Sequence, residues 1–437
     1  MTTLNLRITG MTCDHCAQTV EKALNTLPGV IASVSYDNAS AHVKTNDGVV
    51  VEHLLKAVRD KGYGASLVEG DEKRIQQARG EQGLQVVIIG SGSGAFAAAI
   101  RAAEENAQVT LIESGTLGGT CVNMGCVPSK IMIRGAHIAH VQSAHPFDAI
   151  KRHTPAINRV DLVTQQQGRV EELRHTKYEQ ILQTNPNINL LRGSARFEDK
   201  NTLRVTQDDG SEKQIHADRI LIATGARPAI PDISGLKGTP YWTSTEALGA
   251  EQLPEHLLII GGSVVAVELA QAFRRLGSQV TILVRSTLLS RKDPDLGLGL
   301  TEVFEREGIR VLTHTVPSAA RYESNQFILQ TPEGEIYGDQ LLVATGRKPN
   351  TDTLQLDKAG IETGVRGAIV IDDHLRTSGE HIYATGDCTN QPQFVYVAAA
   401  GGSRAAVNML GGDVTLDLSA MPEVIFTDPQ VATVGLT

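Results

Sequence analysis

Two stretches of the chain limit what it can fold into more than anything else in it. Each is a run of apolar residues that ends in glycines and opens a small-residue helix: LQVVIIGSGSGA from Leu84 and LLIIGGSVVA from Leu257. Strands this apolar are buried on both faces, which calls for a parallel sheet with helices on either side. The loop between strand and helix is where backbone N–H groups and the helix N-terminus can receive a pyrophosphate. In the first copy, Gly90-Ser91-Gly92-Ser93-Gly94-Ala95, Gly90 makes the tight turn, Gly92 lets the phosphates approach and Ala95 permits close helix packing. Glu113, twenty-three residues beyond Gly90, can hold a ribose 2′-hydroxyl.

The second copy, Gly261-Gly262-Ser263-Val264-Val265-Ala266, departs from the pattern at Ser263. That is tolerable if the small side chain turns away from the phosphates. Arg285 stands at the end of the next strand, where an NAD site would carry an acid, and Arg291-Lys292 follows. A cation there suits a 2′-phosphate and predicts NADPH rather than NADH, against the plainer alternative of a surface arginine after a strand. Matched strand ends, ILIATG at 220–225 and LLVATG at 341–346, accompany the two fingerprints. A further strand ending Ile382-Tyr383-Ala384-Thr385-Gly386-Asp387 resumes the first pattern, so the second unit is expected to interrupt the first. The predicted class is α/β, with two Rossmann-like dinucleotide-binding domains; 42 glycines beside 8 Phe, 8 Tyr and 1 Trp fit it.

Composition removes other classes. Forty Lys and Arg against 49 Asp and Glu give a net charge of −9 with no basic block, so nucleic acid is not an expected partner. The N-terminus has no basic segment followed by an apolar one, and no apolar run approaches the ~18 residues of a membrane span, which predicts a cytoplasmic protein. Five cysteines are too few for a disulfide scaffold in a chain of 437 residues, yet four of them pair closely: Cys13 with Cys16 and Cys121 with Cys126. In a reducing compartment such pairs point to metal or redox chemistry.

Residues 1–68 read as a small βαββαβ unit, ferredoxin-like, and the charged stretch at 69–83 as a linker. Gly10-Met11-Thr12-Cys13-Asp14-His15-Cys16 puts two thiols at a helix N-terminus, where the dipole favours thiolates. Two thiolates on one loop suit a soft cation in low coordination, Cu(I) or Hg(II). Structural zinc would want further ligands, and a redox pair uses the same spacing. The whole unit resembles a heavy-metal-associated domain, in its GMTCxxC loop, its Pro28-Gly29-Val30 turn and its Gly62-Tyr63-Gly64.

The other pair lies in Gly118-Gly119-Thr120-Cys121-Val122-Asn123-Met124-Gly125-Cys126-Val127-Pro128-Ser129-Lys130. Cysteines five positions apart at a helix start can close a disulfide if the first turn is distorted, and Gly125 supplies that freedom. With the two fingerprints and the ATGD strand, this segment resembles the FAD-dependent pyridine nucleotide-disulfide oxidoreductases over about residues 84–437. The resemblance implies a redox-active disulfide in which Cys121 is the interchange thiol and Cys126 the thiol against the flavin. It implies a Lys130–Glu268 pair near the flavin's reactive edge, Asp387 on the ribityl chain and a backbone contact from Val395. Gly115, Gly119, Thr120 and Ala195 would line the rest of the FAD path, and Ala266 and Gly346 the nicotinamide nucleotide.

It also implies an FAD-binding domain in two parts, 84–235 and 351–420, an NADPH-binding domain at 236–350, and the start of an α+β dimerisation domain at 421–437. The chain stops there without a cap, so it is expected to be truncated. A heavy-metal-associated unit ahead of such a reductase points to the members that reduce Hg(II) to Hg(0). There, Cys13, Cys16, Cys121 and Cys126 would be metal ligands and Hg(II) thiolate complexes the substrate. Within Arg174-His175-Thr176-Lys177-Tyr178, Tyr178 would reach the metal, a surface helix tyrosine being the alternative. A homodimer and delivery from a membrane mercury transporter are further expectations. The rivals are a reductase of an organic disulfide, which normally adds a His and a Glu from the partner's C-terminal domain, and a soft-metal delivery protein. No cysteine follows Cys388, which is read as structural, so the C-terminal cysteine relay of the mercury-reducing members is in doubt.

Overall fold

The computed structural model describes residues 2–11, 13–45, 51–67 and 83–435. The stretch expected to be a linker, apart from Gly83, lies outside the described residues, as does the last residue of the first unit.

The N-terminal unit has the expected order. Strands Thr2–Thr9, Val30–Ser35, Ser40–Thr45 and Gly64–Leu67 form an antiparallel sheet in which the first strand lies between the third and the fourth. Helices Asp14–Asn25 and Val51–Arg59 cover it. Alternation in the first strand sends Leu4, Leu6 and Ile8 to one face, opposite Val43 and Ala41 in register. Val20 and Leu24 from one helix and Leu54 and Val58 from the other close that face, all fully buried. Each such aliphatic side chain contributes ~1.5–3 kcal/mol on burial, so the unit carries a core of its own.

The apolar runs form the predicted parallel strands. Gln85–Ile89 is the centre of a five-stranded parallel sheet, flanked by Gln108–Glu113 and Ile188–Arg192 on one side and by Arg219–Ile222 and Ile382–Ala384 on the other. The strand before the ATGD sequence therefore completes the first sheet, although a whole second sheet precedes it in the chain. That sheet is parallel too, ordered Ile309–Leu312, Gln279–Leu283, His256–Ile260, Gln340–Val343.

The chain crosses between the sheets at a short antiparallel pair, Ala226–Pro228 with Arg347–Pro349. Helices Ser93–Glu104 and Val395–Met409 pack tightly on the first sheet because glycine faces glycine: a Cβ on Gly402 would stand 2.0 Å from the carbonyl oxygen of Gly94. Ala95, Ala98, Ala99 and Ala102 bury the rest of that face. Each sheet also carries a three-stranded antiparallel meander, at 194–216 and 319–338, and the last described strands, Pro422–Ile425 and Val431–Val434, form a hairpin. Among the described residues no helix is long and apolar enough to cross a membrane.

Candidate active site

The cysteine loop is held against the first fingerprint by close backbone approach. Gly118 and Gly119 both have positive φ, and a Cβ on Gly119 would stand 2.7 Å from the Cα of Gly92. Cys121 lies on the short helix Gly119–Met124, and Cys126 is the first residue of the helix Cys126–Ala144. The break falls at Gly125 (φ −130, ψ −113), where a Cβ would meet the Thr120 carbonyl at 2.9 Å and the Cys121 Cα at 3.3 Å. That distortion lets two thiols five residues apart meet. Both are free and hydrogen-bonded to each other.

They are electrostatically unequal. The bond from Cys121 and then the Lys130 ammonium, working against burial, lower Cys126 to about 7; the same bond and burial push the Cys121 thiol up. Lys130, one turn beyond Cys126, reaches Glu268 of the second unit at 2.7 Å. Glu268 is buried and its other oxygen accepts the Phe426 N–H at 2.9 Å, while Lys130 lies 4.8 Å above the Phe426 ring. The Lys130–Glu268 pair thus links the redox helix, the helix Val264–Leu276 and the residues after Ile425.

Tyr178 is half-buried rather than on a free helix surface. It sits in a π-helical turn, His175–Glu179, with its ring edge-on to Phe96 at 4.8 Å and its hydroxyl 3.3 Å from Ser93 Oγ. Burial raises its pKa, and both thiols add to the rise.

The first fingerprint fits a dinucleotide. Gly90 has φ +113, and a Cβ on it would stand 2.3 Å from the Ala223 carbonyl; a Cβ on Gly92 would meet nothing within 4 Å. Open space therefore lies over the N-terminus of Ser93–Glu104, which no side chain caps. Glu113 holds the Ser91 hydroxyl and the Gly115 N–H, each at 2.6 Å, which leaves lone pairs for a further donor. Asp387 is raised by burial, with Arg347 3.4 Å away pulling it back. Val395 opens another helix that no side chain caps, Thr120 is exposed, and Ala195 is buried in the strand Ser194–Phe197.

In the second fingerprint Ser263 turns inward: its hydroxyl donates to the Ala344 carbonyl at 2.9 Å and accepts the Ala266 N–H at 3.4 Å, capping the helix. Gly261 (φ +127) and Gly346 (φ +131) form the turns at the two adjacent strand ends. Arg285 is exposed and has no ion pair among the described residues. Lys292, expected beside it, is instead engaged by the buried carboxylate of Glu423, leaving Arg291 exposed nearby.

In the N-terminal unit Cys13 occupies the N-cap, extended and exposed, and its sulfur lies 3.6 Å from that of Cys16 in the first helical turn. The Tyr63 hydroxyl bonds Cys16. Among the described residues no group of three or more His, Cys, Asp or Glu is placed to hold a metal ion. Cys388 is buried and donates to the Thr385 carbonyl at 3.2 Å, and burial pushes it to about 11, in keeping with a structural role.

The sequence reading missed Asn123, Arg174, Ser93, Phe426 and the Gly94–Gly402 contact. Asn123 lay inside the cysteine motif, and its place between the two thiols was the available signal.

The fold and these sites define a class. The model of the pyridine nucleotide-disulphide oxidoreductases matches residues 84–402 and that of the heavy-metal-associated domain residues 5–64. A class with the first of these working parts uses FAD and NAD(P)H. The mercuric reductase of Acidithiobacillus ferrooxidans is 56% identical over 432 residues, covering 98% of this chain and 78% of that protein. Those of Shigella flexneri and Shewanella putrefaciens are 55% and 53% identical, with 98% and 99% of this chain and 80% of each relative covered. Among solved structures, the Cu(II) complex of the HOCl-induced flavoprotein disulfide reductase RclA from Escherichia coli superposes with a TM-score of 0.72. It is 31% identical, with 81% of this chain and 78% of that one covered. The chain belongs to the mercuric reductase family.

Proposed function

We propose that the chain reduces Hg(II) to Hg(0) with electrons from NADPH, through FAD and the Cys121–Cys126 pair. The observation that carries this reading is two soft-ligand pairs in one chain: Cys13 with Cys16, sulfurs 3.6 Å apart at a helix start, and Cys121 with Cys126, hydrogen-bonded beside a nucleotide cradle. Bound along Gly90, Gly92, Glu113, Gly115, Gly119, Thr120, Ala195, Asp387 and Val395, a flavin supplies two-electron transfer between a nicotinamide and the cysteine pair. Gly261, Ser263, Ala266 and Gly346 shape the nicotinamide nucleotide's cradle, and Arg285 meets a 2′-phosphate, which selects NADPH.

The Cys121 bond and Lys130 favour the Cys126 thiolate, and Glu268 fixes Lys130. Cys121 keeps its proton longer and gives it up when the metal arrives, so that two thiolates take Hg(II) between them. Tyr178, within electrostatic reach of both sulfurs, steadies the metal from the opposite side. NADPH and Hg(II) give NADP⁺, a proton and Hg(0), and the neutral atom leaves because it no longer holds thiolates. Cys13 and Cys16 capture Hg(II) and hand it on by thiolate exchange. A cytoplasmic homodimer fed by a membrane transporter is the setting we infer.

The test is anaerobic NADPH oxidation with Hg(II) and excess small thiol, beside glutathione disulfide and dihydrolipoamide/NAD controls. Mercury-dependent oxidation with volatile Hg(0) evolved is the expected result. Turnover of a disulfide and none of mercury overturns the reading.

A further inference from the structure

Asn123 lies between the two catalytic cysteines, and its side chain has no free group. Its amide nitrogen donates to the carbonyls of Leu117 at 2.9 Å and Gly119 at 2.8 Å, tying the short cysteine helix to the loop before it. Its amide oxygen accepts from Arg174 Nη1 at 3.2 Å. Arg174 is the last residue of the helix Arg159–Arg174, and the π-helical turn His175–Glu179 begins immediately after it. The same guanidinium reaches across that turn to Glu179, Nε to Oε1 at 3.4 Å, and the other Glu179 oxygen meets His175 Nδ1 at 3.0 Å. One side chain thus bridges the cysteine loop and the turn that carries Tyr178.

The turn needs holding. A π-helical turn is costlier than the α-helix on either side of it and persists where local bonds impose it. Thr176 donates to the Glu172 carbonyl at 2.8 Å, a back-bond that opens the helix, and the Gln180 N–H reaches back to the His175 carbonyl. The extra residue in the turn rotates Tyr178 inward, onto Phe96 and over Gly118, where a Cβ would stand 3.1 Å from the tyrosine ring.

We propose that Arg174 is a positioning residue, which couples the Cys121–Cys126 loop through Asn123 to the turn that holds Tyr178 over the start of that loop. This rests on the reading of Tyr178 as a residue that meets the metal. Arg174 touches no sulfur; it fixes the distance between the group that binds from one side and the pair that binds from the other. A planar guanidinium spans Asn123 and Glu179 with donors on separate nitrogens, whereas an ammonium donates from a single nitrogen and would hold the two less well.

The test compares Arg174→Ala, Arg174→Lys, Tyr178→Phe and the double variant Arg174→Ala/Tyr178→Phe, all as the FAD-loaded chain. Hydrogen exchange reads residues 119–126 and 175–179, and NADPH oxidation reads Hg(II) turnover with excess thiol. Arg174→Ala is expected to speed exchange in both segments and to lower kcat with Hg(II) on the order of tenfold, the scale of a small misplacement of a reacting group. Reduction of the enzyme by NADPH without mercury is expected to stay within about twofold. Arg174→Lys should recover part of the loss, and the double variant should be no slower than the slower single one, because both remove the same arrangement.

The proposal fails alone if Tyr178→Phe slows mercury turnover but Arg174→Ala does not, or if the two losses multiply. It also fails alone if Arg174→Ala slows reduction by NADPH as much as mercury turnover. If Tyr178→Phe has no effect, the reading of Tyr178 fails and the coupling fails with it.

Discussion

Cys126 and Arg285 are the two residues whose proposed chemistry a single substitution tests most directly. The Cys126 thiolate is stabilised by the Cys121 thiol and the Lys130 ammonium and stands near 7. Its thiolate fraction therefore grows as pH rises through that value, and the long-wavelength absorbance of a thiolate lying against flavin should grow with it. Lys130→Met removes the cation, so the midpoint should move up; an unchanged midpoint in an absorbance titration would assign the shift to Cys121 alone. Arg285 is exposed and has no ion pair among the described residues, as a residue that meets a ligand's charge would be. Arg285→Ala should raise KM for NADPH roughly tenfold, the ~1.5 kcal/mol of one charge-assisted bond, and leave KM for NADH nearly where it was. At this scale the sequence was legible where a residue's partners are close along the chain, as for Cys121 and Cys126. It was not legible where they are distant: Lys292 looked like a second cation for the 2′-phosphate, and only the fold brings Glu423 to it.

The elements repeat the lesson in backbone terms. Apolar runs such as Gln85–Ile89 and His256–Ile260 announce buried parallel strands because nothing else buries both faces so completely. The meanders at 194–216 and 319–338 alternate weakly and carry charged ladders such as Arg204 between Glu198 and Glu212, and they gave no comparable signal. The π-helical turn gave none either, since nothing in the residue types of His175–Glu179 marks it. The contact of helices Ser93–Glu104 and Val395–Met409 is the sharpest packing constraint in the flavin unit. Gly402→Ala would place a Cβ 2.0 Å from the Gly94 oxygen, so the helices must part. We expect a loss of ~3 kcal/mol, the upper range for overpacking, together with a lower flavin content in the purified protein, read by thermal melts and absorbance. The crossing between the two sheets is held differently. Arg227 grips Asp352 at 2.6 and 3.1 Å, with Lys348 3.1 Å away, and these cations hold the carboxyl well below the usual carboxylate range. A carboxyl depressed in the folded state contributes stability above its unfolded pKa and loses it as pH falls through the folded one. Because the pair is nearly half exposed, Asp352→Asn should cost less than ~1 kcal/mol at pH 7 and should cost less still in high salt.

On the scale of the whole molecule, the chain holds two cysteine pairs in different structural settings. Cys13 and Cys16 lie at the helix start of a unit with its own core, built on Leu6, Val20, Leu24, Val43 and Leu54. Cys121 and Cys126 sit on the loop packed against the first fingerprint, with Cys126 exposed as Cys13 is. If the N-terminal pair collects metal as proposed, joining it to the reductase in one chain raises the metal concentration that the second pair meets, and the gain is largest when free Hg(II) is scarce. Cys13→Ser/Cys16→Ser should therefore lower kcat/KM for Hg(II) several-fold when competing thiol is abundant, with the deficit shrinking as total mercury rises. Cys121→Ser and Cys126→Ser should lose turnover at every mercury concentration. Steady-state NADPH oxidation across a matrix of mercury and thiol concentrations separates the two roles: a constant deficit in the Cys13→Ser/Cys16→Ser variant would make the N-terminal pair part of the reaction itself, and no deficit anywhere would leave it without a part in delivery.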